Sequence, residues 1–137
     1  MSQHERTGER DLTYHRWHRY DKDYTGDQLG FRHFLTDIDA VEYRADDGGV
    51  RLVGIYEVKR EGWRETPSSR AQMQVIRTIA TACGIPGWRL VYWPVADKDG
   101  LPPQEWIERF HFTDLLTNEK RNMTPAQYRE FLRSLPM

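Results

Sequence analysis

Residues 35–60 read LTDIDAVEYRADDGGVRLVGIYEVKR. Val, Ile and Tyr enrichment on either side of DDGG predicts two antiparallel strands joined by a tight turn. Alternation sets Asp37, Asp39, Val41 and Tyr43 on one face of the first strand. On the second, Val53, Ile55, Glu57 and Lys59 share a face. Two acids and an acid–base pair thus stand where a hairpin normally carries core residues.

Pairing parity decides whether those charges meet. A two-residue Asp47-Gly48 loop pairs Asp39 with Tyr56 and turns it away from Glu57. A three-residue loop, Asp46-Asp47-Gly48 with Gly48 left-handed, pairs Asp37 with Glu57. That register gathers Asp37, Asp39, Glu57 and Lys59 on one face, and a β-bulge would achieve the same gathering.

Working outward, TPSSRAQMQVIRTIATACG predicts a helix capped by Ser68 or Ser69 and ended by Gly84. Its inner stripe is Gln72, Ile76, Ile79, Ala80 and Cys83, with Gln72 an oddity at the apolar edge. A third strand follows from Trp88 to Val95, and a fourth lies within residues 106–116. Trp88 and Trp93 are expected to pack in or against the sheet. Thr124, Pro125 and Gln127 form a capping-box start for a last helix, whose apolar side is Tyr128, Phe131, Leu132 and Leu135. Before the hairpin, DLTYHRWHRY at residues 11–20 predicts a short helix capped by Asp11, behind a flexible stretch at residues 1–10. The expectation is one α/β domain over residues 11–137, with a mixed four-stranded sheet flanked by helices.

Composition narrows the function classes. The 137 residues suffice for one core, and five Trp, seven Tyr and five Phe argue against disorder. A net charge of −1 gives no global field to steer the chain onto nucleic acid, which weighs against a purely electrostatic DNA binder. Mean hydropathy is −0.82, and no segment has the length of apolar residues needed to span a bilayer. The expectation is therefore a cytoplasmic protein. Cys83 is the single cysteine, which excludes an intrachain disulfide and a cysteine-based zinc site; a buried thiol is expected. His15-x-x-His18 lacks a third zinc ligand, and His33 and His111 have no partner legible in the sequence. No Gly-rich phosphate loop and no Ser/His/Asp nucleophile arrangement stands out.

Two carboxylates converging from adjacent strands, with a lysine one step beyond, suit hydrolysis assisted by Mg²⁺ or Mn²⁺. Asp37-Ile38-Asp39, followed by Tyr56-Glu57-Val58-Lys59, resembles the PD-(D/E)XK nuclease superfamily, which carries an Asp on one hairpin strand and Glu-x-Lys on the next. The resemblance covers roughly residues 33–95. It implies a restriction-endonuclease-like core, DNA as substrate, Mg²⁺ or Mn²⁺ as cofactor and a homodimer as the working form. By the same resemblance Asp39 and Glu57 bind the metal with the carbonyl of Val58, and Asp37 is a further ligand or lies just behind them. Lys59 orients the attacking water, and Gln72 or Gln74 is the helix glutamine. The basic groups Arg16, His18, Arg19, Arg60 and Arg64, with Arg70, are candidates for DNA contact. The rival expectation keeps the fold without the chemistry, as a nucleic-acid-binding or protein-interaction module.

Overall fold

The computed structural model describes residues 39–135. Asp37, Arg16, His18 and Arg19, and with them the helix expected at residues 11–20, lie outside the described residues. Within them the chain is an α/β layer: β1 (Ala40–Asp46), β2 (Gly49–Arg60), α1 (Pro67–Cys83), β3 (Gly87–Pro94), β4 (Ile107–Asp114), β5 (Lys120–Met123) and α2 (Pro125–Arg133). The five strands lie in chain order in one sheet. β2 and β3 are parallel and the other neighbours antiparallel. That pattern follows from the connections, since a tight turn can join only antiparallel strands and a parallel pair needs a crossover, here α1. The four-stranded expectation is one strand short. β5 is a four-residue edge strand, KRNM, whose three exposed residues give it no apolar alternation to read.

The hairpin turn is the two-residue Asp47-Gly48 loop, with Asp46 opposite Gly49, not the three-residue alternative. The left-handed glycine is Gly49, at φ 117°, rather than Gly48. Taken alone this register turns Asp39 away from Glu57. A bulge then intervenes: Tyr43 pairs with Leu52 but Glu42 pairs with Gly54, so Val53 is the extra residue. Beyond it the parity is reversed, Ala40 lies opposite Tyr56, and one further step brings Asp39 opposite Glu57.

The bulge also distributes the core. Val53 joins Trp88, Leu90, Phe110, Phe112, Met123, Tyr128 and Leu135 on the α2 side of the sheet. Ile55 joins Ile76, Ala80 and Leu115 on the α1 side. Aromatic contacts bind the first cluster: Tyr56 stacks on Trp88 at 4.4 Å, and Phe131 meets Trp88 edge-on at 5.0 Å. Trp88 is fully buried, as expected, whereas Trp93 is half-buried with the Arg109 guanidinium 4.1 Å from its ring.

Both helices begin with capping boxes. Thr124 and Gln127 cap α2 as the sequence predicts. For α1 the cap is Thr66, and Ser69 answers from the third helical position. Pro67 explains the earlier start, because the first helical turn tolerates a missing N–H. Gln72, Ile76 and Ala80 form the buried stripe of α1. Cys83, expected inside, is exposed, because it stands in the last turn before Gly84 ends the helix.

Candidate active site

Beyond Ile55, β2 continues to present its α1-side residues, Glu57 and then Lys59. Glu57 is fully buried, with 0 % of its side chain exposed. A carboxylate removed from water needs compensating charge. It comes from β3, whose parallel register sets Arg89 opposite Glu57. Arg89 Nε donates to Glu57 Oε1. Lys59 Nζ stands 4.0 Å from the other oxygen, Oε2, which accepts no hydrogen bond.

The lysine is itself held in place. Gln72, buried on α1, accepts a hydrogen bond from Lys59 Nζ through Oε1 at 3.3 Å. Gln74 points elsewhere, exposed and accepting from Arg77 Nη1 at 3.0 Å. Of the two glutamines, the structure therefore brings Gln72 to the cluster. After β2 the chain reverses in a turn closed by Trp63 N–H to the carbonyl of Arg60, with Gly62 at φ 86° in its third position. This turn sets the Trp63 ring 4.2 Å from the Arg89 guanidinium and 6.0 Å from Lys59 Nζ. Arg89 is thus fixed by a carboxylate on one side and an aromatic face on the other.

Asp39 closes the arrangement from the end of β1. Its Oδ2 accepts the Val58 backbone N–H at 2.9 Å, so the side chain continues the ladder where β1 stops. The bond ties the Asp39 carboxylate to the residue between Glu57 and Lys59. Glu57, Lys59 and Gln72 therefore converge, and Asp39 is tied to the same stretch of β2 through the Val58 N–H.

Among the described residues, the basic groups expected at a DNA approach are not among the cluster's contacts. Arg60 and Arg64 are exposed, and Arg70 forms a surface ion pair with Glu65 at 3.5 Å. Two members of the cluster escaped the sequence reading. Arg89 carried a signal, a lone charge between Trp88 and Leu90 in an otherwise apolar strand. Trp63 carried none, because only the Gly62 turn folds it back. His111, on the neighbouring strand, hydrogen-bonds Asn122 at 3.1 Å and so has a structural partner.

The donor set can be tested against a divalent cation. Among the described residues no three His, Cys, Asp or Glu side chains group closely enough to hold a metal unaided. Mg²⁺ does not require that, since it is commonly bound by one or two carboxylates with water and substrate phosphate completing the shell. Glu57 Oε2 is a buried acceptor without a hydrogen bond, and Asp39 brings a second carboxylate to the backbone of the next residue, Val58. Hard oxygens of that kind fit Mg²⁺ or Mn²⁺. The four charged groups Asp39, Glu57, Lys59 and Arg89 are two anions and two cations. A divalent ion there would leave an excess of positive charge, which a phosphodiester anion would reduce.

A larger concavity, about 740 Å³, lies between the arms of the hairpin tip from Tyr43 to Arg51 and includes none of these residues. Among the described residues no helix is long and apolar enough to cross a membrane. No protein family, curated protein or solved structure matches the chain.

Proposed function

We propose that the protein is a divalent-metal-dependent nuclease that hydrolyses DNA phosphodiester bonds on a PD-(D/E)XK-type site. The observation that carries this reading is Glu57 Oε2, a buried carboxylate oxygen left without a hydrogen bond 4.0 Å from a positioned lysine, with Asp39 tied to the Val58 N–H between those two residues. A purely structural ion pair would be expected to close both oxygens.

In this reading Asp39, Glu57 and the carbonyl of Val58 would hold Mg²⁺ or Mn²⁺. When bound, the ion would supply charge neutralisation at the phosphate and ease ionisation of water. Lys59, directed by Gln72, places its ammonium where it orients the attacking water and meets the negative charge developing on phosphorus. Glu57 is kept in one orientation by Arg89, so little reorganisation remains for the reacting state. Water adds to phosphorus, one ester P–O bond breaks, and the departing oxygen takes up a proton. The products are a phosphate monoester and a free hydroxyl. A homodimer would extend the short surface that one such core offers to a duplex.

The test is Mg²⁺- or Mn²⁺-dependent cleavage of plasmid, single-stranded, flap and four-way-junction DNA. Lys59→Ala, Glu57→Ala and Asp39→Asn should each abolish cleavage to background. If wild type cuts none of these substrates, or Lys59→Ala cuts as fast as wild type, the proposal is wrong.

A further inference from the structure

Two buried polar atoms on neighbouring strands lack hydrogen-bond partners, and they are of opposite kind. Glu57 Oε2 is an acceptor and Arg89 Nη2 a donor. Orphaned buried groups are rare because each forfeits its hydration without replacement. The pair could have satisfied itself, since a guanidinium edge and a carboxylate form a two-bond fork. Only the bond from Nε to Oε1 is made, while Oε2 stands 4.0 Å from Lys59 Nζ. A cation alone would satisfy the carboxylate oxygen and leave the guanidinium donor orphaned. An anion alone would do the reverse. A divalent cation carrying a phosphate oxyanion satisfies both at once.

We infer that Arg89 is a substrate-binding residue, donating from Nη2 to a non-bridging oxygen of the phosphodiester while Glu57 Oε2 faces the metal. This rests on the nuclease reading. Trp63 contributes by holding the guanidinium plane, so the donor is oriented before substrate arrives. Metal and phosphodiester should therefore bind cooperatively, each raising the other's affinity by the same factor. The third orphaned atom, Arg44 Nε, has a different setting: Nη2 of the same residue reaches the carbonyls of Leu132, in the last turn of α2, and Leu135, just past it.

The experiment measures Mn²⁺ binding to the full chain by calorimetry, with and without a short phosphorothioate oligonucleotide that resists hydrolysis. In wild type the oligonucleotide should tighten Mn²⁺ binding by about tenfold to a hundredfold, the range of a charge-assisted hydrogen bond. Arg89→Lys keeps a cation beside Glu57 but loses the planar fork. Its coupling, taken against its own affinity for Mn²⁺ alone, should fall to about threefold or less. Arg89→Gln, which removes the guanidinium, should likewise lose the coupling, again taken against its own affinity for Mn²⁺ alone, and circular dichroism confirms that each variant is folded. Undiminished coupling in a folded Arg89 variant overturns the inference. So does wild-type Mn²⁺ binding that the oligonucleotide leaves unchanged, although DNA cleavage abolished by Lys59→Ala would then still support the nuclease reading. Absence of Mn²⁺ binding to wild type, with or without oligonucleotide, overturns both.

Discussion

Replacing either member of the Glu57–Arg89 pair should cost far more than replacing both. Glu57 is fully buried and 11 % of the Arg89 side chain is exposed, so a single substitution strands a charge in a dry setting. Losing one partner of such a pair costs about 3–5 kcal/mol, chiefly from the uncompensated ion. Lys59, at 4.0 Å, adds an attraction of about 4 kcal/mol at an effective dielectric of 20, before desolvation is subtracted. Because desolvation offsets most of these attractions, Glu57→Met with Arg89→Met should lie within about 2 kcal/mol of wild type. Lys59, 22 % exposed, can then turn to solvent. The two single substitutions should therefore overshoot the double by at least about 3 kcal/mol. Urea denaturation followed by tryptophan fluorescence measures all four corners of the cycle. If the single costs add to the double within about 0.5 kcal/mol, the two residues do not form a buried pair.

Gly54 offers a test of the bulge and the core beneath it. A Cβ there would lie 2.6 Å from two atoms of the Trp88 ring, which is buried and cannot retreat. Gly54→Ala should destabilise the fold by about 1–3 kcal/mol in the same denaturation assay, and an unchanged midpoint would contradict the packing. The tyrosines of that cluster give a pH dependence. Burial pushes the Tyr128 hydroxyl from 10.0 up to about 12, and burial with the hydrogen bond to Glu42 pushes Tyr56 higher still. Between pH 10 and about 12 the folded chain keeps a Tyr128 proton that the unfolded chain has released, so this contribution to stability is full below pH 10 and falls through that window. Absorbance at the tyrosinate band, compared with Tyr56→Phe and Tyr128→Phe, should show both of these tyrosines titrating only at raised pH or with unfolding; ordinary titration of either would contradict its burial.

Much of the site was legible along the chain, because it depends on parity and spacing. Alternation put Glu57 beside Lys59, and helical periodicity put Gln72 at the edge of an apolar stripe. Their position relative to Asp39 depends on the register of the hairpin. That register is set by a bulge at Val53, coupled in the fold to the close approach of Gly54 to Trp88. That contact joins strands separated by a whole helix, so no local rule reports it. β5 stayed hidden for a related reason: as a polar edge strand it draws its order from pairing with β4. Arg89 became visible as a partner only when the parallel register of β2 and β3 set it opposite Glu57. Cys83 shows the limit of periodicity, since a residue on the apolar stripe leaves the core when its helix outlasts the sheet beneath.

The most direct measurement is a crystal structure of the full chain soaked in Mn²⁺, read by anomalous scattering. A peak should appear about 2.0–2.3 Å from a carboxylate oxygen of Asp39 and from Glu57 Oε2, with the Val58 carbonyl in the same shell. Glu57→Gln should remove it. A map without a peak at Glu57, or with manganese only on exposed carboxylates elsewhere, would contradict a metal-dependent active site on this hairpin.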